Sequence, residues 1–414
     1  MLEKEHVLNE IIEYYLESCD FNGLPIYQMQ NYNFNILCEL IDDEMIEVLS
    51  DKETLNPHIK AFDLNIPIER QKDNISKTSN YSVLYPTRKA LKDIPHDHSR
   101  PYTEQMQKGE KQFKITYFSI EILERYVSNP KFLIMDSGYR GNIYPKDEYC
   151  EDESIEDEYI KDYGMAYIEG DNLERAIGVF VYDLAKLSSK KQMLWKGYEL
   201  SRQDNCKIAT GFVDNLIHGS WVTKTWIFHA VIDEMTVINN QCKAMGIPDL
   251  FIRTFGKDFS VIPQGYRNIF LPTLKNYYDF VSVLEKMVVH NISYNAFLES
   301  AKNITKISRC DQHGKEKGSL GMLEEWLCKN IHSTENIKEL IINPLKEIRK
   351  ERQTPAHKII SDKYDINLYK KQIDLINNTY NAIRSIRLLF SNHPLAKNVP
   401  VPENLISGEN IVNY

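Results

Sequence analysis

The chain has 414 residues, 42% of them hydrophobic and 11% aromatic, enough apolar surface for two or three packed domains and too much for a mainly disordered protein. Its 50 basic residues face 59 acidic ones, and the net charge of −9 excludes nucleic-acid binding over the whole surface. No apolar run of about 18 residues occurs, so no membrane-spanning helix is expected. The first residues, Met1 to His6, lack the basic-then-apolar pattern of a secretion signal. The seven cysteines, at 19, 38, 150, 206, 242, 310 and 328, are never spaced as C-x-x-C. They read as reduced structural thiols of a cytoplasmic protein rather than as a disulfide framework or zinc ligands.

Taken in chain order, Val7, Leu8, Ile11, Ile12, Tyr15, Leu16 and Cys19 recur at helical spacing and predict a helix over 3–19. A turn at Phe21–Pro25 leads to a second helical stretch through Phe34, Leu37, Leu40 and Ile41, a strand-like run Met45–Leu49, and a loop at Asp51–Pro57. Two helices followed by a strand and a loop resemble a winged-helix module, here residues 1–64. Its helices carry Glu10, Glu13, Glu17, Glu39, Asp42, Asp43 and Glu44. The basic reading helix of a DNA binder is missing, which favours a protein-contact or structural unit.

Residues 65–170 read as a mixed α+β region. Its first part, 65–115, is polar and irregular, and His96 and His98 lie in a loop flanked by Pro95 and Pro101. The two imidazoles have no third ligand nearby, so a loop is preferred to a metal site. A strand over Phe113–Tyr117, a helix over Ser119–Val127 and a hairpin over Lys131–Tyr144, turning at Asp136–Gly141, follow. Nine acidic residues then crowd the sixteen positions 147–162, read as a solvated loop or linker.

Residues 171–310 read as a helical middle domain, with helices over 172–187, 192–200, 222–245 and 273–301 and a strand-like Leu250–Phe255. Neither G-x-x-x-x-G-K-[ST] nor G-x-G-x-x-G occurs, and G-x-S-x-G, H-E-x-x-H and the EF-hand pattern are also missing. Common ATPase, esterase and zinc-hydrolase chemistries are therefore disfavoured, and neither a cofactor nor a metal is expected.

Residues 311–414 read as a helical bundle, with helices over 320–331, 335–342, 344–353, 355–361 and 367–390. Asn343-Pro344 and Thr354-Pro355 each place a capping residue before a proline, and each predicts a break, because proline donates no internal hydrogen bond. A break at Thr354-Pro355 would end one helix at Arg352 and start the next near His357, letting the two side chains converge. An imidazole exchanges a proton near neutral pH, and a guanidinium forks two hydrogen bonds onto a phosphate. Residues 331–397 carry a local charge of +5, so the rest of the chain carries −14. The same residues also admit a structural role. Arg352 can pair with Glu347, Glu351 or Asp362, and His357 can bond the backbone at a helix start.

Over residues 320–395 the sequence resembles the HEPN superfamily, whose nucleases share an Arg-x4–6-His motif with a polar residue after the arginine. Here Arg352, the polar Gln353 and His357 match it, although asparagine, aspartate or histidine more commonly follows the arginine. The resemblance implies a metal-independent endoribonuclease, active as a homodimer formed through the C-terminal bundle. Arg352 and His357 of each protomer would then enter one composite cleft, with Arg349, Lys350 and Gln353 as RNA-binding or supporting residues. Many such proteins are toxins, abortive-infection factors or other antiviral defence effectors, some acting with a partner protein from a defence operon. The alternative is a catalytically inert HEPN-like sensor or scaffold. The overall expectation is a mainly α chain, α+β when its middle region is counted.

Overall fold

The computed structural model describes the chain except for residues 1, 18–22, 30–32, 55, 59, 61–64, 77–81, 221–223, 257–260, 332–335, 357–360 and 414; at 2, 76, 153, 171–173 and 354–356 it is the backbone that is described. The N-terminal part contains α1 (Leu2–Glu17), β1 (Leu24–Pro25), α2 (Phe34–Asp42), β2 (Ile46–Leu49), α3 (Ile68–Ser76) and β3 (Val83–Pro86). The middle part runs through α4 (Arg88–Leu91), α5 (Pro101–Gln107), β4 (Ile115–Ser119), α6 (Glu124–Val127), β5 (Phe132–Asp136), β6 (Arg140–Pro145), β7 (Asp162–Ile168) and β8 (Asp171–Phe180). After it come α7 (Val181–Ala185), α8 (Ser189–Lys196), β9 (Cys206–Ile208), α9 (Thr210–Leu216), β10 (Thr225–Trp226), α10 (Ile227–Met245), α11 (Leu274–Met287) and α12 (Asn295–Leu298). The last third holds α13 (Ser319–Asn330), α14 (Asn343–Ala356), α15 (Asn367–Ser391), α16 (Glu403–Ser407) and β11 (Ile411–Val412). About 49% of the chain is helical and 15% strand, a mixed α/β composition consistent with an α+β chain.

Three layers organise these elements. At the N-terminus, α1, α2 and α3 pack on an antiparallel sheet of order β1-β3-β2, with Ile11, Leu37, Val48 and Leu84 at its core. Residues 65–115, expected to be irregular, contribute α3, β3, α4 and α5. The helix α3 escapes a periodicity reading because it buries the polar Gln71 and Asn74 alongside Ile75 rather than an apolar stripe. Gln71 repays its burial by accepting from Val48 N–H at 3.0 Å and donating to Ile66 C=O at 2.8 Å.

The central layer is a six-stranded antiparallel sheet of order β4-β8-β7-β6-β5, with β9 beside β6 on the same edge of β7. The expected hairpin at 131–144 is present as β5 and β6. The expected helix at 172–187 is instead β8 followed by α7. Residues 175–180 are buried on both faces, so after Arg175 the strand presents the uninterrupted non-polar run 176–180 and loses its two-residue period. The boundary expected at 170/171 falls on the turn between β7 and β8, which pair directly, so the sheet runs across it. The acidic stretch 147–162 connects β6 to β7 within this one sheet. It carries two short 3₁₀ turns and ion pairs from Lys131 to Asp152 and from Lys191 to Glu158.

The third layer is a bundle built from α10, α11, α13, α14 and α15 around one apolar core. That core holds Phe228, Ile238 and Phe280 together with Leu323, Leu345 and Ile383, so it continues across the boundary expected at 310/311. The strand-like reading of 250–255 survives only as a single bridge between Phe251 and Ile292. The breaks expected at both prolines are missing. A π-helical turn, Lys338–Ile342, runs straight into α14, and Asn343 N–H reaches back five residues to Lys338 C=O. An ordinary turn would press the Pro344 ring against the carbonyl four residues earlier, and the widened turn relieves that clash without ending the helix. At the far end, α14 carries its backbone through Thr354 and Pro355 to Ala356.

Among the described residues no helix is long and apolar enough to cross a membrane, and the six described cysteines are free thiols.

Candidate active site

The helix α14 buries Ile341 and Ile342 of the preceding π turn and its own Leu345 and Ile348. Stepping on from Leu345 by three and then four residues gives Ile348 and Arg352, so the arginine occupies the last position of an inward-facing stripe. A cation there needs a partner, and α11 supplies it. Glu285 lies at the edge of the α11 stripe of Tyr277, Val281 and Leu284, and is 3% exposed. The Arg352 Nε stands 3.4 Å from Glu285 Oε2, and the Arg349 Nε stands 3.8 Å from Oε1. The end of α11 folds His290 back onto the same carboxylate, its Nε2 3.5 Å from Oε1. Two guanidiniums and an imidazole thus share one carboxylate, and Arg352 keeps 46% of its side chain exposed.

None of the three structural partners weighed for Arg352 takes it. Glu347 holds Lys350 at 3.4 Å, Glu351 accepts the Tyr277 hydroxyl at 3.2 Å, and Asp362 accepts Lys275 N–H at the start of α11 at 3.0 Å. Burial, and next the Glu351 charge, push the Tyr277 hydroxyl up from its ordinary value. The sequence signal that points to Glu285 is an acid within an apolar helical stripe, matched by a base in the same position on another helix. The pairing spans 67 residues of sequence, beyond the reach of local spacing.

Of the remaining predicted site residues, Lys350 and Gln353 are exposed on α14, and Arg349 is half-buried beside Glu285. His357 lies outside the described residues. In the His96/His98 loop, the His98 Nδ1 stands 2.9 Å from Glu104 Oε1, and among the described residues no group of three or more histidine, cysteine or acidic side chains is placed to hold a metal.

A second charged cluster, which no local motif announces, lies where the central sheet meets the bundle. Asp136 at the end of β5 is buried and accepts the Tyr163 hydroxyl at 3.0 Å. Burial pushes its carboxyl up to about 6, although the Arg267 and Arg175 charges and the Tyr163 hydrogen bond pull the other way. The Arg175 guanidinium stacks 4.7 Å from the Tyr369 ring of α15, joining sheet to bundle. Gly141 is required beside this cluster, because a Cβ there would fall 2.2 Å from the Tyr163 ring and hydroxyl.

The Arg352 constellation can grip a phosphate oxygen with exposed N–H groups while Glu285 fixes the guanidinium from behind. The Asp136 cluster, closed from solvent, is suited to holding layers together or to meeting a ligand that enters between them. No protein-family model, no curated protein and no solved structure matches this chain.

Proposed function

We propose that the protein is a metal-independent HEPN-type endoribonuclease acting as a toxin or antiviral defence effector in the cytoplasm, with its N-terminal part as sensor or regulator. The observation that carries this reading is the half-exposed Arg352 at the last turn of α14, backed by the buried Glu285 and flanked by Arg349. Such a guanidinium is oriented yet still open to an anion. In the reaction, the RNA 2′-oxygen attacks the adjacent phosphorus, the bond to the 5′-oxygen breaks, and a 2′,3′-cyclic phosphate and a 5′-hydroxyl result. His357 serves the proton transfer, Arg352 stabilises the charge on the phosphate oxygens, and Arg349, Lys350 and Gln353 contact the RNA. A homodimer through the C-terminal bundle brings two such pairs to one cleft. The N-terminal α1–α3 and their antiparallel sheet act as a winged-helix-like protein-contact unit, open to a partner protein.

The test is cleavage of total RNA in EDTA by the wild-type protein, His357→Ala and Arg352→Ala. Cleavage by wild type alone, leaving 2′,3′-cyclic phosphate ends, is the expected result. A second reading, an inert sensor or scaffold, draws on the Glu285 ion pair, which satisfies Arg352 without any substrate. Equal inertness of all three proteins, with no growth defect on wild-type expression, would select that second reading.

A further inference from the structure

An RNA 2′-hydroxyl that attacks the neighbouring phosphorus must lose a proton, and the departing 5′-oxygen must gain one. Two transfers at opposite ends of an in-line displacement call for two groups, a neutral base and a protonated acid. His357 supplies one of them in the ribonuclease reading. The end of α11 carries an imidazole with the geometry for the other.

That imidazole is His290. Val289 N–H and His290 N–H both donate to Glu285 C=O, at 2.8 and 2.9 Å. In a regular helix a residue five positions on lies roughly 140° around the axis. The bond from His290 N–H back to Glu285 widens the last turn and lays the imidazole on the Glu285 side chain, its Nε2 3.5 Å from Oε1. The backbone around it is pinned. Val288, Val289 and Ile292 belong to the bundle core. Asn291, 5% exposed, accepts Arg253 N–H and donates to Arg253 C=O, both at 2.8 Å. Between these buried neighbours His290 keeps 50% of its side chain in solvent. A segment so anchored holds the ring in one place, as proton transfer demands, and leaves it open to a substrate.

Glu285 also gives the ring its direction. A carboxylate only accepts, so facing it favours the tautomer with the proton on Nε2 and leaves Nδ1 as the acceptor. The second oxygen of the same carboxylate faces Arg352 Nε at 3.4 Å. One buried anion thus orients both an imidazole and a phosphate-gripping guanidinium, as a buried carboxylate orients the imidazole in serine hydrolases. Among the described residues, the charged groups gathered around His290 are Glu285 of its own helix and, across that carboxylate, Arg349 and Arg352 of α14. Resting on the ribonuclease reading, we infer that His290 is the general base of the cleavage. Its Nδ1 takes the 2′-hydroxyl proton as the 2′-oxygen bonds to phosphorus, and the His357 imidazolium protonates the 5′-oxygen as the bond from phosphorus to that oxygen breaks. The step leaves His290 protonated, His357 neutral and the 5′-oxygen a hydroxyl.

The experiment measures kcat and KM in EDTA for a short RNA between about pH 5 and 8, where an imidazole changes charge. The proteins are full-length wild type, His290→Gln, His290→Lys and His357→Gln. Each is also given a substrate with sulfur in place of the scissile 5′-oxygen, a leaving group that needs no proton. His290→Gln is expected to lose about 10²-fold in kcat with KM little changed, and to lose the rise in rate with pH on the acid side of the wild-type profile. His290→Lys keeps a cation opposite Glu285 and is expected to be as slow. The sulfur substrate is expected to restore His357→Gln and not His290→Gln. If wild type cleaves RNA and His290→Gln matches it, if His290→Lys regains the wild-type rate, or if sulfur restores His290→Gln, the inference is overturned while the ribonuclease reading stands. If wild type cleaves no RNA, both are overturned.

Discussion

Two carboxylate–guanidinium pairs in the bundle differ in one respect that separates scaffold from site. Glu234 of α10 and Arg387 of α15 are both sealed, at 0% and 4% exposure. Arg387 donates from Nε and Nη2 to the two Glu234 carboxylate oxygens in one bidentate grip, and its Nη2 also donates to Leu405 C=O at 3.0 Å. Glu285 is as buried as Glu234, but its arginines are half in solvent and reach it at 3.4 and 3.8 Å without a bidentate bond. The first geometry spends Nε and Nη2 on the fold; the second leaves much of each guanidinium-bearing side chain in solvent.

The comparison breaks most visibly in stability. Arg387→Ala leaves a buried carboxylate without its cation and is expected to destabilise by about 3–5 kcal/mol. Arg352→Ala removes a half-exposed partner of a carboxylate that Arg349 and His290 still face, and is expected to cost no more than about 1 kcal/mol. Urea denaturation of both variants measures this, and similar losses would erase the distinction drawn between the two pairs.

Catalysis sharpens it from the other side. Arg352→Ala, though nearly as stable as wild type, is expected to lose RNA cleavage by about 10²–10³-fold, the usual cost of removing one transition-state charge stabiliser. Glu285→Gln keeps the shape behind the guanidinium and removes its anchor. A fall in kcat of about ten-fold with KM little changed would mark Glu285 as a positioning residue, since loss of orientation acts on the reacting geometry. A change confined to KM would instead mean that Glu285 only tunes charge for binding.

The Asp136 cluster supplies a pH test. The folded carboxyl titrates near 6 and the unfolded one near 3.9, so between these values the folded state holds more protons. Stability from this group is therefore full below about pH 4 and is lost as pH rises to about 6. Asp136→Asn keeps an acceptor for the Tyr163 hydroxyl and does not titrate. Its stability relative to wild type should rise across that window by about 2–3 kcal/mol and then level off. Parallel stability curves for the two proteins from pH 4 to 7 would show that the carboxyl is not shifted.

How much of this was legible in the sequence follows from how each signal is carried. Helices with one wet face, α1, α2 and α15, show their period and were placed within about two residues at each end. The strand β8 was not, because both its faces are buried and alternation vanishes. The π turn before Pro344 was read as a break, since a proline after asparagine signals a helix start and a lateral widening leaves no compositional mark. Arg352 was visible as part of a motif, whereas Glu285, His290 and Asp136 gain their meaning from partners far along the chain. Local spacing finds Arg352, and only the fold finds the Glu285 that holds it.

The smallest expected effect concerns Lys350, two residues before Arg352 and 75% exposed, with a loose pair to Glu347 at 3.4 Å. Removing it as Lys350→Ala should change stability by less than about 0.5 kcal/mol, as for other exposed i,i+3 pairs. If the basic edge of α14 follows an RNA backbone, the variant still weakens binding, and it does so through counterion release. The slope of log K against log salt for a single-stranded RNA should shrink by about 0.7, the share of one phosphate contact. An unchanged slope would place the RNA path on the Arg349–Arg352 edge alone and leave Lys350 with Glu347 as surface charge. Because stability is held constant, the slope reports where the phosphates run rather than whether the helix is intact.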